Sequence, residues 1–413
     1  MMYYTQKLYA KLKGFDKMDI QSALADRVTS LKASAIREIF KMLGSKDVIS
    51  FAGGIPSPEL FPTEEFNSIL SDILTNIGTG ALVYGVTEGY NPLIEIVTER
   101  LKSANVYHVY DQVIITTGAQ QAIDLTCKSL VNEGEGIIVE EPSFIGSLNS
   151  FRSYNARLFG VEMSDDGIDT DKVEEILKKE NIKLIYTIPT FQNPMGVTQS
   201  IEKRRKLLDL AEKYDCYIIE DNPYGELRFK GEAVDAIKTM DESGRVIYVG
   251  SFSKTLAPGI RVGFACCHKD IMDRIIVSKQ VNDVHTTLMM QMLVAEYIKR
   301  YDFDAHIKES CDLLGEKCGI MLSAIDEYFP DCVKYTKPEG GIFLWCTLPE
   351  GVDAKPIFEK AVERKVAFVP GSTCMVDLEA PCNSFRLNYS TASNDDIVKG
   401  IKILGDLLKE ELR

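Results

Sequence analysis

Lys254 stands in the run Ser251-Phe252-Ser253-Lys254-Thr255, just after the apolar stretch Val246–Val249 and shortly before Arg261. A primary amine so placed can condense with an aldehyde once burial or neighbouring cations favour its neutral form. Ser251 and Ser253 add hydroxyl donors, and Arg261 adds a fixed cationic fork suited to phosphate. Residues Gly118 to Gln121 open an expected helix whose free amides and dipole favour an anion. Asp221 closes a further apolar stretch, where a buried carboxylate costs several kcal/mol unless a cation such as a protonated ring nitrogen faces it. Phosphate, aldehyde and basic ring nitrogen are the ligand features these side chains ask for.

Such residues can meet only if the chain brings them to one edge. The apolar runs Val113–Thr116, Gly136–Val139, Leu184–Ile188, Tyr217–Ile219, Val246–Val249 and Val262–Ala265 alternate with segments such as Gln120–Leu130 and Ile201–Tyr214 that are long enough for crossover helices. Strands separated by helices at this spacing predict an α/β domain with a largely parallel sheet. Consecutive apolar residues also suit strands covered on both faces. The runs lead directly into Thr117-Gly118-Ala119-Gln120, Glu140-Glu141-Pro142-Ser143-Phe144, Pro189-Thr190-Phe191-Gln192-Asn193-Pro194, Glu220-Asp221-Asn222-Pro223-Tyr224 and Gly250-Ser251-Phe252-Ser253-Lys254-Thr255. Ligands of open α/β sheets bind outside the carboxyl ends of the strands, so these loops are expected to line one crevice.

From about Asp302 the pattern changes. Ile307, Cys311, Leu314, Cys318, Met321, Ile325 and Phe329 mark one long amphipathic helix. Strand-like pieces follow at Gly341–Cys346, Val366–Val369 and Ser384–Asn388, then a closing helix Asn394–Leu412; together they read as a smaller α+β domain. An isolated helix is expected at Ser34–Leu43, ahead of the Gly/Pro-rich turn Gly53–Pro58.

The ligand described above is pyridoxal 5′-phosphate, and the motifs around it resemble a known family. Ser251 to Gly263, reading SFSKTLAPGIRVG, resembles the cofactor-lysine signature of fold-type-I aminotransferases. Ile49-Ser50-Phe51-Ala52-Gly53-Gly54 with Pro56 and Pro58, then Tyr84-Gly85 with Thr87-Glu88-Gly89-Tyr90, resembles the subgroup of 2-aminoadipate, kynurenine and aromatic amino-acid aminotransferases. The likeness runs from about Ser34 to Asn388. It implies a fold-type-I α/β architecture in which a large domain with a mostly parallel seven-stranded sheet (61–300) joins a smaller α+β domain (301–413). An N-terminal segment (1–60) with a mobile helix would belong to the small domain.

It also implies roles. Lys254 would hold the cofactor and move the proton between the substrate α-carbon and the cofactor, with Asp221 on the pyridinium nitrogen. Asn193 and Tyr224 would bond the ring oxygen, and Phe144 would stack on the ring. Ser251, Ser253, Arg261, the amides of Ala119 and Gln120, and Tyr84 from a second subunit of a homodimer would hold the phosphate. Arg386, in Ser384-Phe385-Arg386-Leu387-Asn388, would clamp the substrate α-carboxylate beside Gly54 and Asn193. Arg37, in Ser34-Ala35-Ile36-Arg37-Glu38, would meet the far carboxylate of a dicarboxylic substrate. Two departures stand out: the family usually has Ser where Ala119 stands, and often Tyr where Phe144 stands. The reaction implied moves an amino group from an aromatic, 2-aminoadipate-like or other large amino acid to a 2-oxo acid such as 2-oxoglutarate by a ping-pong mechanism.

Each sharp reading has an ordinary one beside it. Lone lysines are usually solvated, Asp before Pro caps turns, Asn-Pro is a common turn, and an arginine on a helix forms surface pairs worth under ~1 kcal/mol. A pyridoxal-phosphate β-lyase, or a non-catalytic pyridoxal-phosphate module of a regulator, would share the cofactor residues. A nucleotide enzyme is disfavoured, since neither G-x-x-x-x-G-K nor G-x-G-x-x-G occurs in place.

The 413 residues carry 47 Lys+Arg against 61 Asp+Glu, a formal charge of −14 that repels nucleic acid and anionic membranes while leaving room for a basic pocket. The chain contains no charge-free apolar run near the ~18 residues of a membrane helix, and Met1 to Asp19 lack the apolar core of a secretory signal. The ten cysteines form no C-x-x-C pair and read as reduced, buried thiols; with four dispersed histidines, no metal site is expected. A cytoplasmic enzyme of small anionic molecules is the expectation.

Overall fold

The structure, a computed structural model, describes residues 24–29, 31 and 48–412. Arg37 and the expected helix Ser34–Leu43 lie outside the described residues. In chain order the strands are β1 (Ile49–Ser50), β2 (Asp111–Thr116), β3 (Gly136–Glu141), β4 (Arg157–Ser164), β5 (Gly167–Ile168), β6 (Ile182–Thr187) and β7 (Tyr217–Asp221). There follow β8 (Val246–Ser251), β9 (Gly263–His268), β10 (Lys334–Tyr335), β11 (Phe343–Thr347), β12 (Val366–Ala367), β13 (Val369–Pro370) and β14 (Ser384–Asn388).

The large sheet has the order β2-β9-β8-β7-β6-β3-β4-β5. Strands β8, β7, β6, β3 and β4 pair in parallel, and β9 runs antiparallel between β2 and β8. It has eight strands rather than the expected seven. The extra one, β5, is two residues that fold back antiparallel on β4, too short to leave a periodic trace in sequence. Leu184, Tyr186 and Ile219 enter one core while Ile185 and Ile218 enter another on the opposite face. Burial on both faces is why consecutive residues of these strands, Leu184–Tyr186 and Tyr217–Ile219, are apolar.

Because β9 is reversed, its start lies beside the ends of β2 and β8 (Thr116 opposite Gly263, Ser251 opposite Gly263). Arg261, just ahead of β9, therefore reaches the same edge as Thr117, Asp221 and Ser251.

The second sheet, β10-β11-β14-β13, is antiparallel and packs under the helices Phe303–Tyr328 and Asn394–Glu411. Side chains cap both helices: Asp302 accepts from Ala305 N–H and Ser393 from Asp396 N–H. The expected strand Val366–Val369 is two pieces, because Phe368 is fully buried between a β12 that pairs with β1 and a β13 that pairs with β14. Phe51 ties the N-terminal segment in: its N–H donates to Ala367 O (2.7 Å) and its carbonyl accepts from Asn388 N–H (2.8 Å).

All the cysteines are free, and all but Cys332 are buried. No helix among the described residues is long and apolar enough to cross a membrane. Lys238, fully buried, bonds Asp111 Oδ1 and Asp241 Oδ2, both at 3.0 Å and both fully buried. Lys238→Met removes the cation and leaves two facing carboxylates, so thermal or denaturant unfolding should show a loss of about 3–5 kcal/mol. A loss under about 1 kcal/mol would mean that the acids take up protons or water without cost.

Candidate active site

The carboxyl edge of the large sheet holds a cavity of about 380 Å³. Its anionic end is built on glycine. Gly118 starts the helix Ala119–Leu130 at φ 75, where only glycine is unstrained, and a Cβ there would lie 2.4 Å from Arg261 Nη2. No side chain caps this helix start, which leaves its first amides to a ligand. Arg261 takes a left-handed backbone (φ 52) and donates from Nη2 to Thr117 O (3.1 Å) and from Nη1 to Ser253 Oγ (3.3 Å). Ser253 N–H donates to Ser251 Oγ (3.1 Å). A guanidinium, two hydroxyls and a helix start thus surround one point.

At the cavity floor Asp221 is 2% exposed. Its Oδ2 accepts from Tyr186 Oη (2.8 Å), while its buried Oδ1 has no partner. Burial pushes its pKa up to about 7, against the Tyr186 hydrogen bond and the Lys254 charge, which pull it down. Lys254 is shifted the other way: burial and the cations of Arg386 and Arg261 lower its pKa to about 8, opposed by Asp221. Its Nζ donates to Gly54 O and lies 5.9 Å from the Tyr224 ring centroid. Burial also raises the pKa of the Tyr224 hydroxyl, which Arg386 and a bond from Asn193 counteract.

Arg386 closes the other end. Nη1 donates to Asn193 Oδ1 and Nη2 to Ala52 O, both at 2.8 Å, while the buried Nε has no partner. The guanidinium carbon lies 4.0 Å from the centroid of the Phe343 ring. A flat cation so held, with spare donors, suits a carboxylate. A larger neighbouring cavity, about 500 Å³, lies beyond Pro223 and Ser251, but its arginine, Arg100, is already bound by Glu226 and Asp304.

Residues 48–404 match the family model Aminotransferase class I and II. The chain belongs to this family. It is 40% identical over 418 residues to aromatic-amino-acid aminotransferase 1 of Thermococcus litoralis, covering 100% of both chains. It is 39% identical over 383 residues to the 2-aminoadipate transaminase of Thermus thermophilus, covering 92% of this chain and 94% of the other. The kynurenine aminotransferase of Pyrococcus horikoshii superposes with a TM-score of 0.92 at 37% identity, over 96% of this chain and 99% of that one.

An aminotransferase of this class works with pyridoxal 5′-phosphate, and the residues present fit it. The unpartnered Oδ1 of Asp221 matches a ring N–H, the cup around Arg261 matches a phosphate, and Lys254 presents its amine between them. The cavity brings together Ala119, Gln120, Phe144, Asn193, Asp221 and Tyr224 from the expected set, and also Ser251, Ser253, Lys254, Arg261, Arg386 and Gly54. Gln120 offers its backbone only, since its side chain donates to Gly146 O (3.0 Å) and Ser150 Oγ (2.9 Å). Tyr84 does not line this cavity; it is 86% exposed, edge-on to His285.

Sequence reading named Gly54 but not the bond its carbonyl accepts from Lys254, and it missed Ala52, whose carbonyl accepts from Arg386; no side-chain pattern announces a backbone oxygen. It also missed Tyr186, hidden inside an apolar run, and Phe343 under Arg386. A pH dependence follows from Lys254. Its amine attacks only when neutral, so the rate at which the cofactor-free aminotransferase takes up pyridoxal phosphate should rise with pH and level off above about 8, rather than climb toward 10.5. Stopped-flow absorbance checks this; a rate still rising steeply at pH 10 would show an ordinary amine.

Proposed function

We propose that this aminotransferase moves the amino group of aromatic, 2-aminoadipate-like and other large amino acids to a 2-oxo acid, 2-oxoglutarate foremost, in two ping-pong half-reactions. The observation that carries the reading is Lys254, a buried amine with a lowered pKa, set between the unpartnered oxygen of Asp221 and the Arg386 fork. The names of the relatives and the apolar walls of Ile55, Ile123, Ile188 and Phe343 support the substrate class.

Ser251, Ser253, Arg261 and the amides of Ala119 and Gln120 would hold the phosphate, Phe144 the ring face, and Asn193 with Tyr224 the ring oxygen. Asp221 would keep the ring nitrogen protonated. Pyridoxal phosphate, when bound, supplies the electron sink that makes the substrate α-proton acidic. Arg386 binds the α-carboxylate, helped by Asn193 and Gly54, and so fixes which substituent of the α-carbon faces Lys254. Lys254 then takes the proton from the α-carbon as a free amine and returns it on the other side of the transfer.

The working unit would be a homodimer. Tyr84 follows the exposed apolar residues Leu82 and Val83, precedes the exposed Val86 and lies edge-on to His285, and from there it would serve the phosphate of a second copy. The division into 1–60, 61–300 and 301–413 is supported by a large sheet confined to 111–268 and by the pairing of β1 with β12. Buried free thiols support a cytoplasmic setting.

Spectral half-reactions test the function. An aromatic or 2-aminoadipate donor should convert the lysine-bound cofactor band to that of pyridoxamine phosphate, and 2-oxoglutarate should reverse it. Release of pyruvate, ammonia and a thiol from a cysteine S-conjugate, whose β-substituent can leave, without that conversion of the cofactor would favour a β-lyase. Arg37 would read a distal carboxylate, so Arg37→Ala should lower kcat/KM for 2-aminoadipate at least about tenfold more than for phenylalanine. Equal losses would remove that role.

A further inference from the structure

Glu140, at the carboxyl end of β3, is fully buried and takes no part in the chemistry above. Its carboxylate meets donors on both oxygens: Thr187 Oγ1 and Ile188 N–H (3.0 Å) at Oε1, and Gln192 Nε2 (3.0 Å) at Oε2. Gln192 is used completely. Its Nε2 also donates to Pro142 O (2.8 Å), and its Oε1 accepts from Met195 N–H (2.8 Å). Its backbone N–H donates to Val197 O (2.9 Å) and its carbonyl accepts from Gly196 N–H (2.6 Å). The turn so stapled is a strained one. Phe191 before it has φ 52, a conformation bulky residues avoid, and at Gly196 a Cβ would lie 2.3 Å from Phe343 O. Within this turn stands Asn193, whose Oδ1 accepts from Arg386 Nη1.

We propose that Glu140 is a positioning residue for carboxylate recognition: through Gln192 it fixes the turn from which Asn193 orients the Arg386 guanidinium. The inference rests on the reading that Arg386 binds the substrate carboxylate. A carboxylate is needed because it only accepts. In Glu140→Gln a carboxamide of the same shape turns an N–H toward at least one of these donors. Gln192 can adapt only by rotating its amide, which would break its bonds to Met195 N–H and Pro142 O.

The test uses holoenzyme and two ligands that share a ring, have no α-proton to lose and differ in the carboxylate: α-methylphenylalanine, and α,α-dimethylphenethylamine, in which a methyl group replaces the carboxylate. Binding is read from the absorbance of the lysine-bound cofactor, without turnover. Glu140→Gln should weaken α-methylphenylalanine about tenfold and leave α,α-dimethylphenethylamine within about twofold. Gln192→Leu, which removes the staple from its other side and serves if Glu140→Gln fails to fold, should do the same. The double variant should lose no more than either single one, since both act through one contact. Equal weakening of both ligands, or no weakening, overturns the proposal. Arg386→Ala separates the two readings. If it abolishes the preference for the carboxylate while Glu140→Gln and Gln192→Leu do not alter it, the positioning role alone fails. If Arg386→Ala leaves the preference intact, the Arg386 reading fails and this inference with it.

Discussion

Lys254→Ala should lower the steady-state rate of transamination by about 10⁴-fold or more, the largest effect expected of any single replacement. Two functions disappear together: the amine that binds the aldehyde and the base that moves the α-proton. Among the described residues the other cations lining the cavity, Arg261 and Arg386, do not replace it, since they are guanidiniums that do not give up a proton at ordinary pH. The band of lysine-bound cofactor should vanish, while pyridoxal phosphate should still be retained by the cup around Arg261. A small primary amine added to the solution should restore part of the rate, because the missing group is a proton carrier at a site that otherwise stands. A variant within about tenfold of the parent rate would show that another group carries the proton.

Asp221→Asn comes next, with an expected loss of about 10²–10³-fold in each half-reaction. The change is nearly isosteric and can keep the bond from Tyr186. What it removes is the charge opposite the ring nitrogen. At full burial a neutral amide gives that nitrogen no reason to stay protonated, and an amide N–H turned toward it would favour the unprotonated form. Exchange of the substrate α-proton with deuterated solvent is the sharpest measurement, since it reports the step the electron sink supports. Exchange at the parent rate would take the ring nitrogen out of the account.

How much of this was legible in sequence depends on where the signal lies. Strands buried on both faces, such as β6 and β7, show themselves as apolar runs, so the loops after them and the residues they carry are visible too. Strand β4 is not, because only Val161 along it is buried and Arg157, Glu162 and Ser164 are exposed. The hydroxyl of Tyr186 passes for one more apolar position, and Glu140 passes for a loop residue until the donors around it are known. Tyr84, expected at the phosphate only through the family resemblance, lies on the surface and away from the cavity of its own chain. The seven-stranded expectation missed only the short return strand β5.

The carbonyls that face Arg386 and Lys254 come from Ala52 and Gly54, 334 and 200 residues away along the chain. This separation sets an order of events during synthesis. A nascent chain that has emerged as far as β9 already holds every strand of the large sheet and, with them, the phosphate cup and Asp221. The arginine fork arrives only with β14, after the long helix Phe303–Tyr328 has been made, and Phe51 must then be captured between Ala367 and Asn388. Contacts of such long range close late. The growing polypeptide can therefore assemble the means to hold its cofactor well before it can recognise an amino acid.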